Sequence, residues 1–427
     1  MDTAPPAVPP SRERLGSAFA RFWAAGTLTN LGDGTLATAL PLIAATLTSD
    51  PLAVSGLAAA RFLPWLLVAP LAGVLLDRVD RLRAMAVANA VAATAVGVLT
   101  VVILTGHASL WSLYATLFAV VCCETVSDPA SRIGVVRLVP ARLLDRANGR
   151  AEAGRLVAQD FAARPVAGVL FAVAAVLPVA GAALSYALCA VLVAVVVALL
   201  RRRPPGAAVP EPDPGAEPRA GVLRSLREGF GYVFGDPLLG RLALVNAATM
   251  AGVQTGTAVL VLHVQHVLGV PPALFGLFLA SSAVGGLLGA VCASRLMART
   301  GRAAMTTGGY TGLGLCLVLV GVLPNAYLGA LLWAVLGLCV AASNIAAAPL
   351  LQTVVPDRLR GRASAAFRTV GWGAAPLGAL LGGLLGRIDL ALPFVAGGLL
   401  VTCTALLLRR AVAEGARLCD RVPASPR

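Results

Sequence analysis

Long apolar blocks, separated by short polar or Pro/Gly-rich breaks, fill this chain from about residue 20 to residue 410. Twelve can be drawn, at 20–47, 52–76, 82–105, 109–138, 147–175 and 178–200, then 238–266, 273–297, 302–323, 326–354, 361–386 and 390–410. They lack period-2 alternation and a one-sided helical stripe, and many reach the ~20 residues that cross a bilayer as helix. The pattern predicts an all-α integral membrane protein with twelve transmembrane helices. They fall into two six-helix bundles, 19–200 and 237–410, with a tail at 1–18, a polar connection at 201–236 and a second tail at 411–427.

The halves echo one another. "VPARLLDRA" at 139–147 returns as "VPDRLRGRA" at 355–363, six of nine residues in common, each after the fourth span of its half. "DPLAVSG" before the second span has a counterpart in "VPPALFG" before the eighth. Pseudo-symmetric bundles point to a transporter with its substrate site between the halves near the midplane. The connection contains "RRRPPGAAVPEPDPGAEPRAG", too polar and Pro-rich for lipid, followed by "VLRSLREGFGYVF", which predicts a short amphipathic helix on the inner surface.

Composition narrows the possibilities. Hydrophobic residues make up 58% of the 427 and charged residues 13%, and the mean hydropathy is +0.84; a soluble domain carries about a quarter charged residues. No soluble catalytic domain fits in what remains, so the expectation is a protein that is not an enzyme. A net charge of +14 invites a nucleic-acid partner. However, the 34 basic residues are all Arg and lie mostly in loops sharing one face; Arg387 borders the other, and Arg61, Arg132, Arg155, Arg164 and Arg368 lie within spans. That asymmetry is the positive-inside pattern, placing both termini in the cytoplasm, and it is no nucleic-acid footprint. The eight Cys show no CxxC or Cys/His spacing and read as small hydrophobes, so neither metal nor cofactor is expected. Nothing resembles a phosphate-binding GxxxxGK[ST] loop, which removes ATP-driven transport within this chain. The first 18 residues lack an apolar signal core and read as a disordered cytoplasmic tail.

"GVLLDRVDRLRAM", 73–85, resembles the loop signature of the major facilitator superfamily between its second and third helices: Gly73, Asp77, Arg78, Arg81 and Arg83 match, with Asp80 in place of the usual second Gly. "NLGDG", "AAARFLPWLL", "ETVSDPAS", "LVPARLLDRANGR" and "VVPDRLRGRASAAFRTVGWGAAPLGALLGG" are similar to bacterial enterobactin-exporter-like and macrolide-efflux-like members. The resemblance implies the twelve-helix major facilitator fold, export of siderophores or drugs, protons as the coupling ion, and a cytoplasmic gate at the loop signature. Topology and lipid-headgroup binding are the plainer role of its arginines. Related drug–proton antiporters carry a fifth-helix pattern like G-P-x-x-G-G. Here "RPVAG" keeps Pro165 and Gly168 but has Arg164 and Ala167 at Gly positions, and an Arg there is expected to disturb close helix contact. "APLGALLGG" in the second half retains Pro376 and Gly378.

Ionisable residues inside lipid-spanning helices mark functional candidates. Asp33 lies between Gly32 and Gly34, ~20 Å into span one at 1.5 Å per residue, and Arg61 lies ~13 Å from the outer end of span two. They can form a fixed pair, or Asp33 can carry the coupling proton. Glu124, Asp128 and Arg132 follow at i, i+4 and i+8 on one face of span four, where they form either a substrate and proton pathway or an ion-pair ladder. Asp128 can pair locally with Arg132, which makes Glu124 the sharper functional candidate. Span five adds Arg155 with Gln159, and Asp160 with Arg164. Trp372, with Phe367 nearby, can line a pocket for an apolar substrate near midplane, while Arg61, Arg155, Arg164 and Arg368 can supply a basic cavity for an anion. His263 and His266 fall at the outer end of span seven, where interfacial polar residues are routine and a pH-sensitive gate is the sharper reading.

The expected function is therefore a secondary active exporter of a drug-like or secondary-metabolite small molecule, by proton antiport, as a monomer in a bacterial inner membrane. A siderophore exporter is the alternative within transport, because the membrane arginines suit an anion while the acidic stripe suits a cation or neutral compound. A non-transporting sensor or scaffold on a transporter fold is the alternative from another class; it needs neither midplane carboxylates nor a gate.

Overall fold

The computed structural model describes residues 15–201 and 222–421. Most of the expected N-terminal tail, the Pro-rich part of the connection and residues 422–427 lie outside the described residues.

Among the described residues the chain is helical throughout its spans, and they number twelve. Span one is Ser17–Leu47; span two is Pro51–Leu67 continued by Ala69–Arg78; span three is Arg81–Leu104; span four is Leu110–Leu138; span five runs from Ala141 to Val173; span six is Val176–Arg201. Span seven is Pro237–Thr257 continued by Leu260–His266; spans eight to twelve are Pro272–Thr300, Arg302–Val322, Ala326–Val354, Asp357–Gly386 and Leu392–Leu407. Nine of them are long and apolar enough by themselves to cross a bilayer. Span one is diluted by Asn30, Asp33 and its Gly and Thr residues, and span two is broken at Val68 between Pro64 and Pro70. Large apolar side chains such as Val87, Val91, Val98 and Leu104 on span three point outward, as a lipid-facing surface requires.

An even number of spans brings both ends of the described chain to one face, the terminal face; the opposite one is the distal face. Polar side chains start the helices by satisfying backbone N–H groups that have no partner in the first turn. Asp50 accepts from the Leu52 amide (3.1 Å), Asp80 from the Arg83 amide (2.9 Å) and Asp236 from the Leu238 amide (2.8 Å), while Ser109 and Ser112 form a reciprocal capping box. Gly301 turns the chain between spans eight and nine at φ 80°, which a side chain would resist.

Two boundaries differ from expectation, and one expected element forms. Span two is two helices, not one. Span twelve ends at Leu407 and bends by 57° into a further helix, Arg409–Arg421, so what reads as a tail is a packed element. Its Ala411, Val412 and Ala416 are buried against spans seven, nine and ten, while Glu414 and Arg417 stay exposed, a one-sided pattern. The amphipathic segment forms as Val222–Gly235 and packs on span eleven, pinned by an Arg362–Glu228 ion pair of 2.5 Å.

The halves meet through two related helix pairs, span two with eleven and span five with eight. A side chain at Gly276 would run into the Arg164 carbonyl, and one at Gly168 into the Ala273 carbonyl. Arg164 therefore does not disturb the contact: span eight supplies the glycine that span five lacks, and the Arg164 guanidinium turns away to Asp160 (2.8 Å). On the other pair, Gly383 admits Ser55 and Gly386 admits Pro51, closing the distal face. Below the edge-on Trp65–Trp372 contact (4.8 Å between centroids), Ala69–Arg78 packs on spans three and four of its own half. The halves thus diverge toward the terminal face.

The distal seal carries an ion pair between halves. Arg387 Nε donates to Asp50 Oδ1 (2.7 Å) and Nη2 to Oδ2 (2.6 Å), a bidentate fork. The Arg387 hydrogen bonds hold the Asp50 carboxyl below its ordinary value. A depressed carboxyl keeps its stabilising charge above the usual Asp range and loses it only as pH falls below that range. Mild acidification therefore leaves the seal intact, whereas removing either charge does not. Asp50→Asn is expected to speed alkylation of a buried Ser55→Cys reporter several-fold, and the double exchange Asp50→Arg with Arg387→Asp is expected to restore the slow rate; labelling kinetics with an impermeant maleimide measure it.

Candidate functional site

Asp33 sits about 24 Å along span one from Ser17 at 1.5 Å per residue, well inside the bundle. Its carboxylate accepts a 2.6 Å hydrogen bond from the Tyr186 hydroxyl of span six, a ring almost wholly buried. The glycines beside it have distinct tasks. A side chain at Gly32 would strike the Tyr186 ring, and one at Gly34 would strike the Gln159 carbonyl of span five. That carbonyl belongs to a π-helical segment, Leu156–Ala163, whose wider turn is a feature frequent at functional sites.

Asp33 faces a void of about 10 Å³, room for a single water, shared with Glu124, Asp128, Asn89 and Tyr186. A second polar relay runs beside it: Thr29 Oγ1 donates to Asn89 Oδ1 (3.0 Å), and Asn89 Nδ2 donates to Ser127 Oγ (3.2 Å). Spans one, three, four and six are thus joined around the carboxylates by neutral hydroxyls and an amide, which satisfy buried polar groups without neutralising them.

Two expected pairs do not form. Asp33 bonds to Tyr186, and no Asp33–Arg61 ion pair occurs within 4 Å; Arg61 instead acts at longer range on Glu124, Asp33 and Asp128 together. Its depth was readable from residue counts, but the direction in which span two turns it was not. Asp128 and Arg132, both exposed, also form no ion pair within 4 Å. Among the described residues Arg61, Glu124, Asp128, Arg132 and Arg368 make no ion pair within 4 Å. Span five does form its ladder: Arg155 binds Glu152 (2.5 Å) and Gln159 (3.4 Å), Asp160 is 4.0 Å away, and Asp160 binds Arg164 (2.8 Å). Arg155 and Asp160 accordingly brace span five. Asp128 is exposed, whereas Glu124 and Asp33 are both half-buried.

On the other half, Trp372 and Phe367 line one cavity of about 280 Å³, as expected, and Arg368 lines it with them, away from the other span arginines. Tyr310 and Asn246 share it and were not foreseen. His263 is no interfacial residue: it is fully buried, with Nδ1 3.1 Å from the Leu390 carbonyl and Nε2 3.0 Å from that of Val320, and it ties span seven to span nine. His266 is exposed. At the loop signature, Asp80 caps span three and pairs with Arg137 of span four (3.1 Å), so the departure from Gly adds a tie between loop and bundle. Gly73, Arg78 and Arg83 are exposed there and Arg81 is half-buried; the Asp77 side chain lies outside the described residues.

A family model described as a transmembrane secretion effector matches residues 10–423. Macrolide efflux protein A of Streptococcus pyogenes is 24% identical over 393 residues, 91% of this chain and 94% of that protein. The enterobactin exporter EntS of Escherichia coli O81 (strain ED1a) is 30% identical over 184 residues, 41% of this chain and 42% of its own. A solved bacterial homologue of the iron transporter ferroportin in the inward-facing state overlays with TM-score 0.73 at 17% identity, covering 95% of this chain and all (100%) of that one. The outward-facing form of such a homologue overlays with TM-score 0.59 at 18% identity, covering 94% of this chain and 100% of its own. At such identities the likeness carries the fold.

Tyr186→Phe removes one hydroxyl and leaves a carboxylate inside the bundle without its donor. The expected cost is about 1–3 kcal/mol of stability at neutral pH, as for an orphaned buried polar group. Gly32→Ala, which displaces the ring, is expected to act in the same direction. Thermal denaturation of the purified protein measures both, and a Tyr186→Phe chain as stable as its parent would show that the hydroxyl does not hold the carboxylate.

Proposed function

Because the chain belongs to the transmembrane secretion effector family of the major facilitator superfamily, and so is a multi-pass membrane transporter, we propose that it exports a drug-like or secondary-metabolite small molecule by proton antiport. The observation that carries this reading is the Asp33 carboxylate, held by Tyr186 beside a water-sized void that it shares with Glu124 and Asp128. A carboxylate fixed by an Arg partner would be a structural charge. One fixed by a neutral hydroxyl can take a proton and keep its hydrogen bond, with the carboxyl O–H and the phenol exchanging donor and acceptor roles.

The arginine-rich loops put the terminal face in the cytoplasm of a bacterial inner membrane, with the opening between the halves facing inward. In this state substrate enters from the cytoplasm, and Asp128 and Glu124 connect Asp33 to the same compartment. Closure of the terminal face and release of the Asp50–Arg387 seal turn the site outward, where Asp33 reloads from the proton-rich side. The movement of Arg61 relative to Glu124 and Asp33 alters which carboxylate holds the proton, since an approaching cation favours the charged form. The Asp77, Arg78, Arg81 and Arg83 cluster acts as the cytoplasmic gate, and the working unit is a monomer. Efflux by the macrolide and enterobactin relatives supports the direction of transport.

Asp33→Asn keeps the size and the hydrogen bond but cannot exchange a proton. In proteoliposomes it is expected to abolish pH-gradient-driven efflux of a fluorescent substrate while leaving substrate binding and downhill exchange within a few-fold of the parent. Undiminished uphill efflux would sink the proton-coupling assignment and leave Asp33 a structural residue.

A further inference from the structure

The cavity in the second half contains the ingredients of a ligand site with a definite charge preference. It lies between spans seven, nine, ten and eleven, and the buried Val412 of the C-terminal helix helps line it. Its one charged lining residue is Arg368, whose guanidinium has no ion pair or hydrogen bond among the described residues. Among the described residues no carboxylate lines it. Tyr310 turns a hydroxyl without a hydrogen-bond partner toward the same space, while Asn246 spends one amide hydrogen on the Phe367 carbonyl (3.2 Å). The remaining surface is mostly aromatic or apolar: Trp372, Phe367 and Met250 supply flat or polarisable faces.

We propose that this cavity binds a compact aromatic organic anion, its carboxylate or phenolate on Arg368 and Tyr310 and its ring against Trp372 and Phe367. The assignment rests on the reading of the chain as an exporter and names the substrate class of the second half. Charge decides the sign. A cation would meet Arg368 with no acid to offset it, whereas an anion gains a charge-assisted, geometrically forked partner. Size decides the rest: about 280 Å³ is at the lower edge of small-molecule sites and accommodates one or two fused rings, not a large macrocycle.

The location links occupancy to transport. Trp372 presses edge-on against Trp65 of the first half, and Trp65 stands one helical turn from Arg61, which acts on Glu124 and Asp33. A ring seated on Trp372 bears on the lowest close aromatic contact between halves, so ligand binding and the position of Arg61 are coupled through span two.

The test uses 2-naphthoate, with 2-naphthylmethylammonium as its cationic counterpart, on the full-length protein in nanodiscs by isothermal titration and tryptophan fluorescence. The naphthoate is expected to bind and quench Trp fluorescence, and the ammonium to bind at least tenfold more weakly. Arg368→Gln is expected to weaken naphthoate roughly tenfold or more, the loss of a charged hydrogen bond, while Arg368→Lys, which keeps the charge but not the fork, falls between that variant and the parent. Trp65→Phe is expected to leave affinity nearly unchanged but to reduce the effect of naphthoate on labelling of Ser55→Cys. Equal binding of both probes, or naphthoate affinity indifferent to Arg368→Gln in a correctly folded protein, overturns the proposal. Equilibrium binding needs no proton gradient, so a failure here is separate from a failure of Asp33 to couple transport.

Discussion

The arrangement of the first half follows from the need to keep an acidic side chain inside a hydrocarbon-spanning bundle. A charge at that depth costs several kcal/mol unless it is partnered, and the partner chosen sets what the residue can do. Tyr186 supplies a hydrogen bond without a counter-charge. Gly32 yields space to the phenol ring, and the π-helical turn of span five closes against Gly34. Each of these features would be unremarked if position 33 were apolar. Together they hold a carboxyl group that can gain or lose a proton with its surroundings in place.

Much of this was legible in the sequence. Apolar blocks gave the spans because lipid forces continuous apolar helix, and the repeated Val-Pro segments gave the two halves. The depth of Asp33, Glu124 and Arg61 could be counted at a fixed rise per residue. Trp372 and Phe367 were expected to line one pocket, and they do, but Arg368 joins them there instead of sharing a basic cavity with Arg61, Arg155 and Arg164.

What stayed hidden depends on contacts between spans. Tyr186 is one tyrosine in an apolar helix, and nothing in its neighbours marks it as the partner of a residue 153 positions earlier. Glycines at 32 and 34 announced room but not its occupant. The Asp33–Arg61 and Asp128–Arg132 pairs were reasonable from spacing, yet spacing fixes neither the rotation of span two nor the rotamers of span four. Arg164 looked disruptive because the compensating Gly276 lies on another helix. The C-terminal helix was read as a tail, although its buried alanines and valine and its exposed charges are one-sided.

The two halves divide the chemistry. The first holds the exchangeable carboxyl, the second a cationic aromatic cavity, and the Trp65–Trp372 contact joins them. The Asp50–Arg387 fork and the Gly383 and Gly386 contacts close the distal side, while the terminal side stays apart. In the proposed cycle the fork opens as the gate closes, and the proton on Asp33 is proposed to decide which arrangement is favoured.

The most direct measurement of that account is pH-difference infrared spectroscopy of the purified protein. A protonated-carboxyl stretch that appears on acidification, is lost in Asp33→Asn, is shifted in frequency by Tyr186→Phe and persists in Asp128→Asn is the predicted result. A difference spectrum unchanged by Asp33→Asn would contradict it, because the carboxyl at the centre of the mechanism would then not be the one that takes the proton.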